Sequence, residues 1–169
     1  MRIRIKIVHV RLVRLITDHA LDACTMMWLA RAVVPRVPVH RVLVLDDYPD
    51  AALSISMLLE ALGHECRIAI RGRDALDLAV AFEPDIAFVD LDLPDIHGFE
   101  VARRLRALAS GRPLFLAAIT GADRSTDRVQ ALAAGFDHHV LKPIDAAIMK
   151  RVLDRAGSHL ARLGASLGA

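Results

Sequence analysis

Four short apolar runs in this chain end on residues suited to phosphoryl chemistry. RVLVL (41–45) runs into Asp46 and Asp47, and DIAFV (85–89) runs into Asp90. PLFLAAIT (113–120) ends on Thr120 before Gly121, and DHHVL (137–141) runs into Lys142 and Pro143. Asp90 also opens the stretch DLDLPDIHG, which adds Asp92 and Asp95 within a few positions. Carboxylates in apolar surroundings are costly unless paired. Several held together repel one another unless a cation sits among them, and an oxygen-rich, water-sharing donor set suits Mg2+. A carboxylate is also a competent nucleophile for a phosphoryl group, giving an aspartyl phosphate. A lysine ammonium would offset charge on the phosphoryl oxygens, and a threonine hydroxyl would donate to one of them. Each signal has a plainer reading on its own: Asp-Asp as a helix cap, Thr-Gly as a turn, Lys before Pro as a surface residue. Their joint placement at the ends of four different strands favours the chemistry.

The elements that must position these residues alternate with short linkers. RVLVL is a buried strand, followed by a helix that starts near Pro49, carries Ile55, Leu58, Leu59 and Leu62 on one face, and stops at Gly63. CRIAI (66–70) is a second strand and RDALDLAVAFE (73–83) a second helix, ended by Pro84. After the third strand, GFEVARRLRAL places Val101, Leu105 and Leu108 inward, with Arg103, Arg104 and Arg106 on the other face. STDRVQALAAG is a fourth helix closed by Gly135, and a last helix runs from about Asp145 to Leu163. Such alternation predicts an α/β fold: a five-stranded parallel sheet with helices on both faces and right-handed crossovers. Continuous apolar strands fit a sheet covered on both sides. With a flavodoxin-like, doubly wound order 2-1-3-4-5, the first and third strands are neighbours where the strand order reverses, and all C-terminal strand ends line one cleft.

Composition narrows the alternatives. The chain has 169 residues, 54% hydrophobic but only 4% aromatic, which suits aliphatic packing in one domain plus an appendage. Residues 1–39 hold seven Lys/Arg against two Asp, and the remainder fifteen against eighteen acids, so the net +2 conceals a basic leader and an acidic body. Overall charge is therefore a poor basis for a nucleic-acid role, and no direct nucleic-acid contact is expected. Cys24 and Cys66 show no metal-type spacing and read as reduced thiols. The stretch IVHVRLVRLI is interrupted by Arg11 and Arg14 and is too short to span a bilayer, nor does it resemble a signal peptide. A membrane role is disfavoured, and a cytoplasmic location is the expectation.

Residues 40–156 resemble the receiver domain of bacterial two-component response regulators, especially those attached to hybrid sensor kinases. The resemblance is carried by VLVLDD (42–47), FVDLDLPDIHGFEVARRLR (88–106), AAITG (117–121) and AAGFDHHVLKPID (133–145). It implies that Asp90 accepts a phosphoryl group from a histidine of a kinase or phosphotransfer protein. It further implies that Asp47 binds Mg2+ directly, that Asp46 acts mostly through water, and that the Asp92 backbone carbonyl supplies another metal oxygen. Thr120, with Gly121 beside it, and Lys142 would contact the phosphoryl group, and the bond to Pro143 is often cis in this family. Pro94 and Gly98 would turn the chain into the third helix, leaving Asp95 as ordinary loop solvation. In the family, an aromatic on the fifth strand follows the threonine inward, remodelling the face made by the fourth helix, fifth strand and fifth helix. His139 stands at that position here, a departure from Tyr or Phe. A His138–His139 metal site is disfavoured, because strand neighbours point to opposite faces; one inward and one outward histidine is expected.

The expected organisation is a basic extension (1–39), a receiver domain (40–163) and a tail (164–169). Only a helix and a short tail follow Lys142, so a stand-alone receiver signalling by protein–protein contact or onward phosphoryl transfer is expected. The extension has three readings: sequence upstream of a later start at Met26 or Met27, a helix begun at Thr17 that docks or makes a homodimer, or a basic membrane-surface segment. Two rival functions remain. One is a phosphorylation-independent scaffold of the same fold. The other is a phosphatase of the haloacid dehalogenase type, with Asp90-Leu91-Asp92 as its D-x-D, although that family carries the motif on its first strand.

Overall fold

A computed structural model describes residues 38–121 and 125–167. The expectations for the extension, including the helix at Thr17 and the thiol of Cys24, lie outside these residues. Pro38–Ala169 forms one compact unit. Its elements are β1 (Arg41–Leu45), α1 (Pro49–Ala61), β2 (Glu65–Ala69), α2 (Gly72–Phe82) and β3 (Ile86–Asp90). They are followed by α3 (Gly98–Ala109), β4 (Phe115–Thr120), α4 (Ser125–Ala133), β5 (His138–Leu141) and α5 (Ala146–Leu167). The five strands pair in parallel in the order β2-β1-β3-β4-β5. The expected doubly wound sheet is therefore observed. No helix among the described residues is long and apolar enough to cross a membrane.

Alternation along each strand divides the core between the two faces. Leu43, Leu45, Ala87, Val89, Leu116 and Ala118 pack with Ala75 and Ala79 of α2, Val101 and Leu105 of α3, and Ala131 of α4. Val42, Val44, Ile86, Phe88, Phe115 and Ile119 pack with Ile55 and Leu59 of α1, and Met149 and Val152 of α5. A fully buried aliphatic or phenyl side chain is worth roughly 1.5–3 kcal/mol over its exposed state. The central strands, buried along their length, thus form a rigid base for the residues at their C-terminal ends.

Several local expectations are corrected. Leu62 and Leu108 are 40% and 46% exposed; Leu62 is the C-cap of α1 and Leu108 lies in the last turn of α3. Leu163 is likewise exposed, and α5 runs on to Leu167, so most of the expected tail is helical. Arg106 does not face outward with Arg103 and Arg104. Its guanidinium folds back to donate to the carbonyls of Leu114 (2.5 Å) and Gly135 (2.8 Å) and pairs with Asp137. Asp137 also accepts from Leu116 N at 2.8 Å, so this network binds α3 to the entries of β4 and β5. Both His138 and His139 are half-buried, in place of one inward and one outward: β5 is an edge strand, open on one side. They nonetheless lie on opposite faces, in register with Ala117 and Ala118.

Candidate functional site

Asp46 follows β1 directly, and its amide donates to Ala69 O of β2, which holds it at the sheet edge. The side chain is fully buried. Oδ1 accepts from Tyr48 N at 3.0 Å, and Oδ2 pairs with Lys142 Nζ at 2.8 Å. Asp47, the next residue, is half-buried. Asp90 is the last residue of β3 and 4% exposed; its Oδ1 accepts from Asp92 N at 3.2 Å and its Oδ2 from Lys142 Nζ at 2.5 Å. One ammonium therefore bridges two carboxylates from adjacent strands. Burial alone would lower the Lys142 pKa, but hydrogen bonds and charge from Asp46 and Asp90 outweigh it and hold the pKa above its ordinary value.

Oxygens of Asp46, Asp47 and Asp90 lie within 4.8 Å of one another, the one cluster of this kind among the described residues. The donor set is all oxygen, with two buried carboxylates beside a half-open one, and so fits a hard divalent cation that keeps some of its water. Thr120 ends β4 and is 2% exposed, in register with Leu141. Its carbonyl accepts from Lys142 N at 2.9 Å, which ties the lysine's backbone to the neighbouring strand. The Lys142–Pro143 peptide is cis. Gly121 is exposed, with open space where a Cβ would lie.

The loop after Asp90 closes on itself. Leu91 N donates to Ile119 O, and Gly98 N to Leu91 O at 3.1 Å. A Cβ at Gly98 would stand 2.8 Å from Leu91 Cα and closer still to the Asp90 carbonyl oxygen, so only glycine permits this approach. Pro94 and Asp92 are exposed along the loop. His97 starts α3 by accepting from Phe99 N at 3.3 Å, a capping role that its residue type did not announce. Asp95 is not ordinary loop solvation: its two oxygens accept from Gly72 N (2.9 Å) and Arg73 N (3.1 Å) at the start of α2. A signal was present in the sequence, since α2 opens at Arg71-Gly72 without a Ser, Thr, Asp or Asn to cap it.

All the strand-end residues expected from the sequence thus meet at one edge, except that His139 sits back along β5, in register with Ala118. Comparison with known proteins gives the same grouping. The response regulator receiver domain matches residues 42–154. Protein PilH of Pseudomonas aeruginosa is 28% identical over 68% of this chain and 94% of its own. The probable transcriptional regulatory protein TcrX of Mycobacterium tuberculosis is 35% identical over 75% of this chain but only 55% of its own length. A CheY-like receiver domain from Methanospirillum hungatei superposes with a TM-score of 0.66, at 25% identity, over 76% of this chain and 99% of that one. With the matching fold and the strand-end cluster, these place the chain in the response regulator receiver-domain family.

Proposed function

We propose that the protein acts as a receiver in a two-component pathway, accepting on Asp90 a phosphoryl group from a phosphohistidine of a sensor kinase or phosphotransfer protein. The observation that carries this reading is the bridged trio: Asp90 at the end of β3, its Oδ2 held by Lys142, with Asp46 on the same ammonium. A carboxylate oxygen of Asp90 attacks phosphorus, and the P–N bond of the donor breaks with its electron pair left on the imidazole nitrogen. Asp46, Asp47, Asp90 and the Asp92 carbonyl would hold Mg2+, which when bound supplies positive charge against the phosphoryl oxygens. Lys142 turns from its carboxylate partners toward the new phosphoryl oxygens, and the Thr120 hydroxyl donates to one of them. Asp92 N, already on Asp90 Oδ1, keeps the carboxylate oriented.

The protein catalyses only its own phosphorylation and dephosphorylation, in the cytoplasm. The signal is a change in protein–protein contacts at the α4–β5–α5 face, where Thr120 and His139 act as the switch pair from adjacent strands. The test is phosphorylation by phosphoramidate, whose P–N bond is that of a phosphohistidine. The expected product is Mg2+-dependent, is destroyed by hydroxylamine as an acyl phosphate must be, and maps to Asp90. Absence of product with folded protein overturns the reading in favour of a phosphorylation-independent scaffold, and modification at another residue overturns Asp90 as the acceptor.

A further inference from the structure

We propose that Asp95 is a positioning residue for the acceptor site, fastening the loop that carries Asp92 to the N-terminus of α2 and so fixing the amide that holds Asp90. The inference rests on the reading of Asp90 as phosphoacceptor. Its first observation is the cap supplied across the fold. Arg71 precedes α2 without giving a side-chain hydrogen bond, and the first amides of the helix, Gly72 N and Arg73 N, donate instead to Asp95 Oδ1 and Oδ2. A carboxylate there meets both the orphan amides and the positive end of the helix dipole. Asp95 is exposed, and the desolvation that works against its charge is outweighed by the backbone donors together, which hold it below its ordinary carboxylate range.

The second observation is steric. A Cβ on Gly72 would lie 2.9 Å from Val101 Cγ2, 3.2 Å from Ile96 Cβ and 3.5 Å from Asp95 Oδ1. The loop is therefore seated directly against the bare backbone of α2, and the absence of a side chain there permits the bidentate contact. The same loop is pinned at its other end by Asp92 N on Asp90 Oδ1 (3.2 Å) and by Gly98 N on Leu91 O (3.1 Å). Between the pins lie only Leu93 and Pro94, and Pro94 has no N–H to donate and a fixed φ. Release of Asp95 thus removes the polar tie between the outer part of the loop and α2, leaving only the packing of Leu93 and Ile96 against the core to restrain the Asp92 amide and carbonyl from that side. Capping alone would affect α2; the short span to Asp92 carries the effect to the acceptor.

The test uses the full chain with three variants: Asp95→Ala, Asp95→Asn and Gly72→Ala. In metal-free protein, hydrogen exchange at the Asp92 amide is expected to speed up in Asp95→Ala relative to core amides of β3 such as Val89. Mg2+ affinity and the phosphoramidate reaction rate at fixed Mg2+ are expected to fall by about tenfold, as for loss of an outer-shell support. Asp95→Asn, which keeps one acceptor oxygen, recovers part of each loss. Gly72→Ala keeps the carboxylate but displaces the loop, and it reproduces the site defects. If Asp95→Ala loses thermal stability while Asp92 exchange and Mg2+ affinity stay at wild-type values, Asp95 is a helix cap only and the proposal fails. Failure of the phosphoacceptor reading is distinct: wild type would then show no phosphorylation at all, while Asp92 exchange would still report on Asp95.

Discussion

Replacing Asp47 with Asn is expected to reverse the order of stability between variant and wild type, depending on Mg2+. Oxygens of Asp46, Asp47 and Asp90 lie within 4.8 Å of one another, with Lys142 bonded to two of the three carboxylates. At that separation a like-charged pair repels by roughly 1 kcal/mol in water and by 3–4 kcal/mol at an effective dielectric of about 20. Asp47 faces two carboxylates and one ammonium, which leaves about one pair of net repulsion. Because its side chain is half-buried, the value near the aqueous limit applies, about 1 kcal/mol. Without metal, Asp47→Asn should therefore melt about 2–4 °C above wild type, the shift expected for a chain of this size. With Mg2+ at about a hundredfold over its dissociation constant, wild type gains about 2.7 kcal/mol, whereas the variant, lacking one charged ligand, gains little. Thermal unfolding followed by circular dichroism, in chelator and across a Mg2+ series, reads both effects. A variant less stable than wild type in chelator, or one with an undiminished Mg2+ shift, would refute the placement of Asp47 in a repulsive, metal-binding trio.

Removal of the bridging ammonium should have the opposite sign. Lys142→Met leaves buried Asp46 and Asp90 without their shared cation and should cost roughly 1–3 kcal/mol in metal-free urea unfolding, discounted from a fully buried pair because Lys142 is partly exposed. Since the Lys142 pKa is raised, that contribution is complete below its ordinary 10.5 and should disappear only as pH rises through the higher folded value; loss of the wild-type advantage already at neutral pH would contradict this. Gly98→Ala drives a Cβ into Leu91 and the Asp90 carbonyl, so stability should fall by about 1–3 kcal/mol and Asp90 phosphorylation should be lost, read by urea unfolding and phosphoramidate labelling. His64, buried and stacked on His40 at 5.5 Å, accepts from His40 N through Nδ1, which only an unprotonated nitrogen can do. Burial, then the charge of His40, lower its pKa, so the unfolded chain takes up the proton first and stability should decline as pH falls below about 6.5. His64→Asn, which keeps an acceptor near Nδ1, should flatten that decline in pH-dependent unfolding.

The strand ends were legible because each candidate residue ends or directly follows an apolar run, and a parallel sheet brings such positions to one edge. Asp46, Asp90, Thr120 and Lys142 need only that topology to meet. Arg106 was misread because a helical wheel places it beside Arg103, whereas its partners, Leu114, Gly135 and Asp137, arrive from segments that the wheel does not contain. Asp95 was misread for the same reason: the amides it caps lie more than twenty positions earlier. Leu62 and Leu108 obey the helical period, but each falls in the final turn or cap of its helix and is left exposed. The local code thus specified the elements and the acids, while contacts set by tertiary packing specified which polar residues support them.

Asp90 is proposed to accept a phosphoryl group with the help of Mg2+. The most direct test of this is the intact mass of the protein after incubation with a small acyl phosphate, with and without Mg2+, for wild type and Asp90→Asn. A gain of one phosphoryl group, seen only in wild type and only with Mg2+, is the expected result. No gain in folded wild type, or an equal gain in Asp90→Asn, would contradict it.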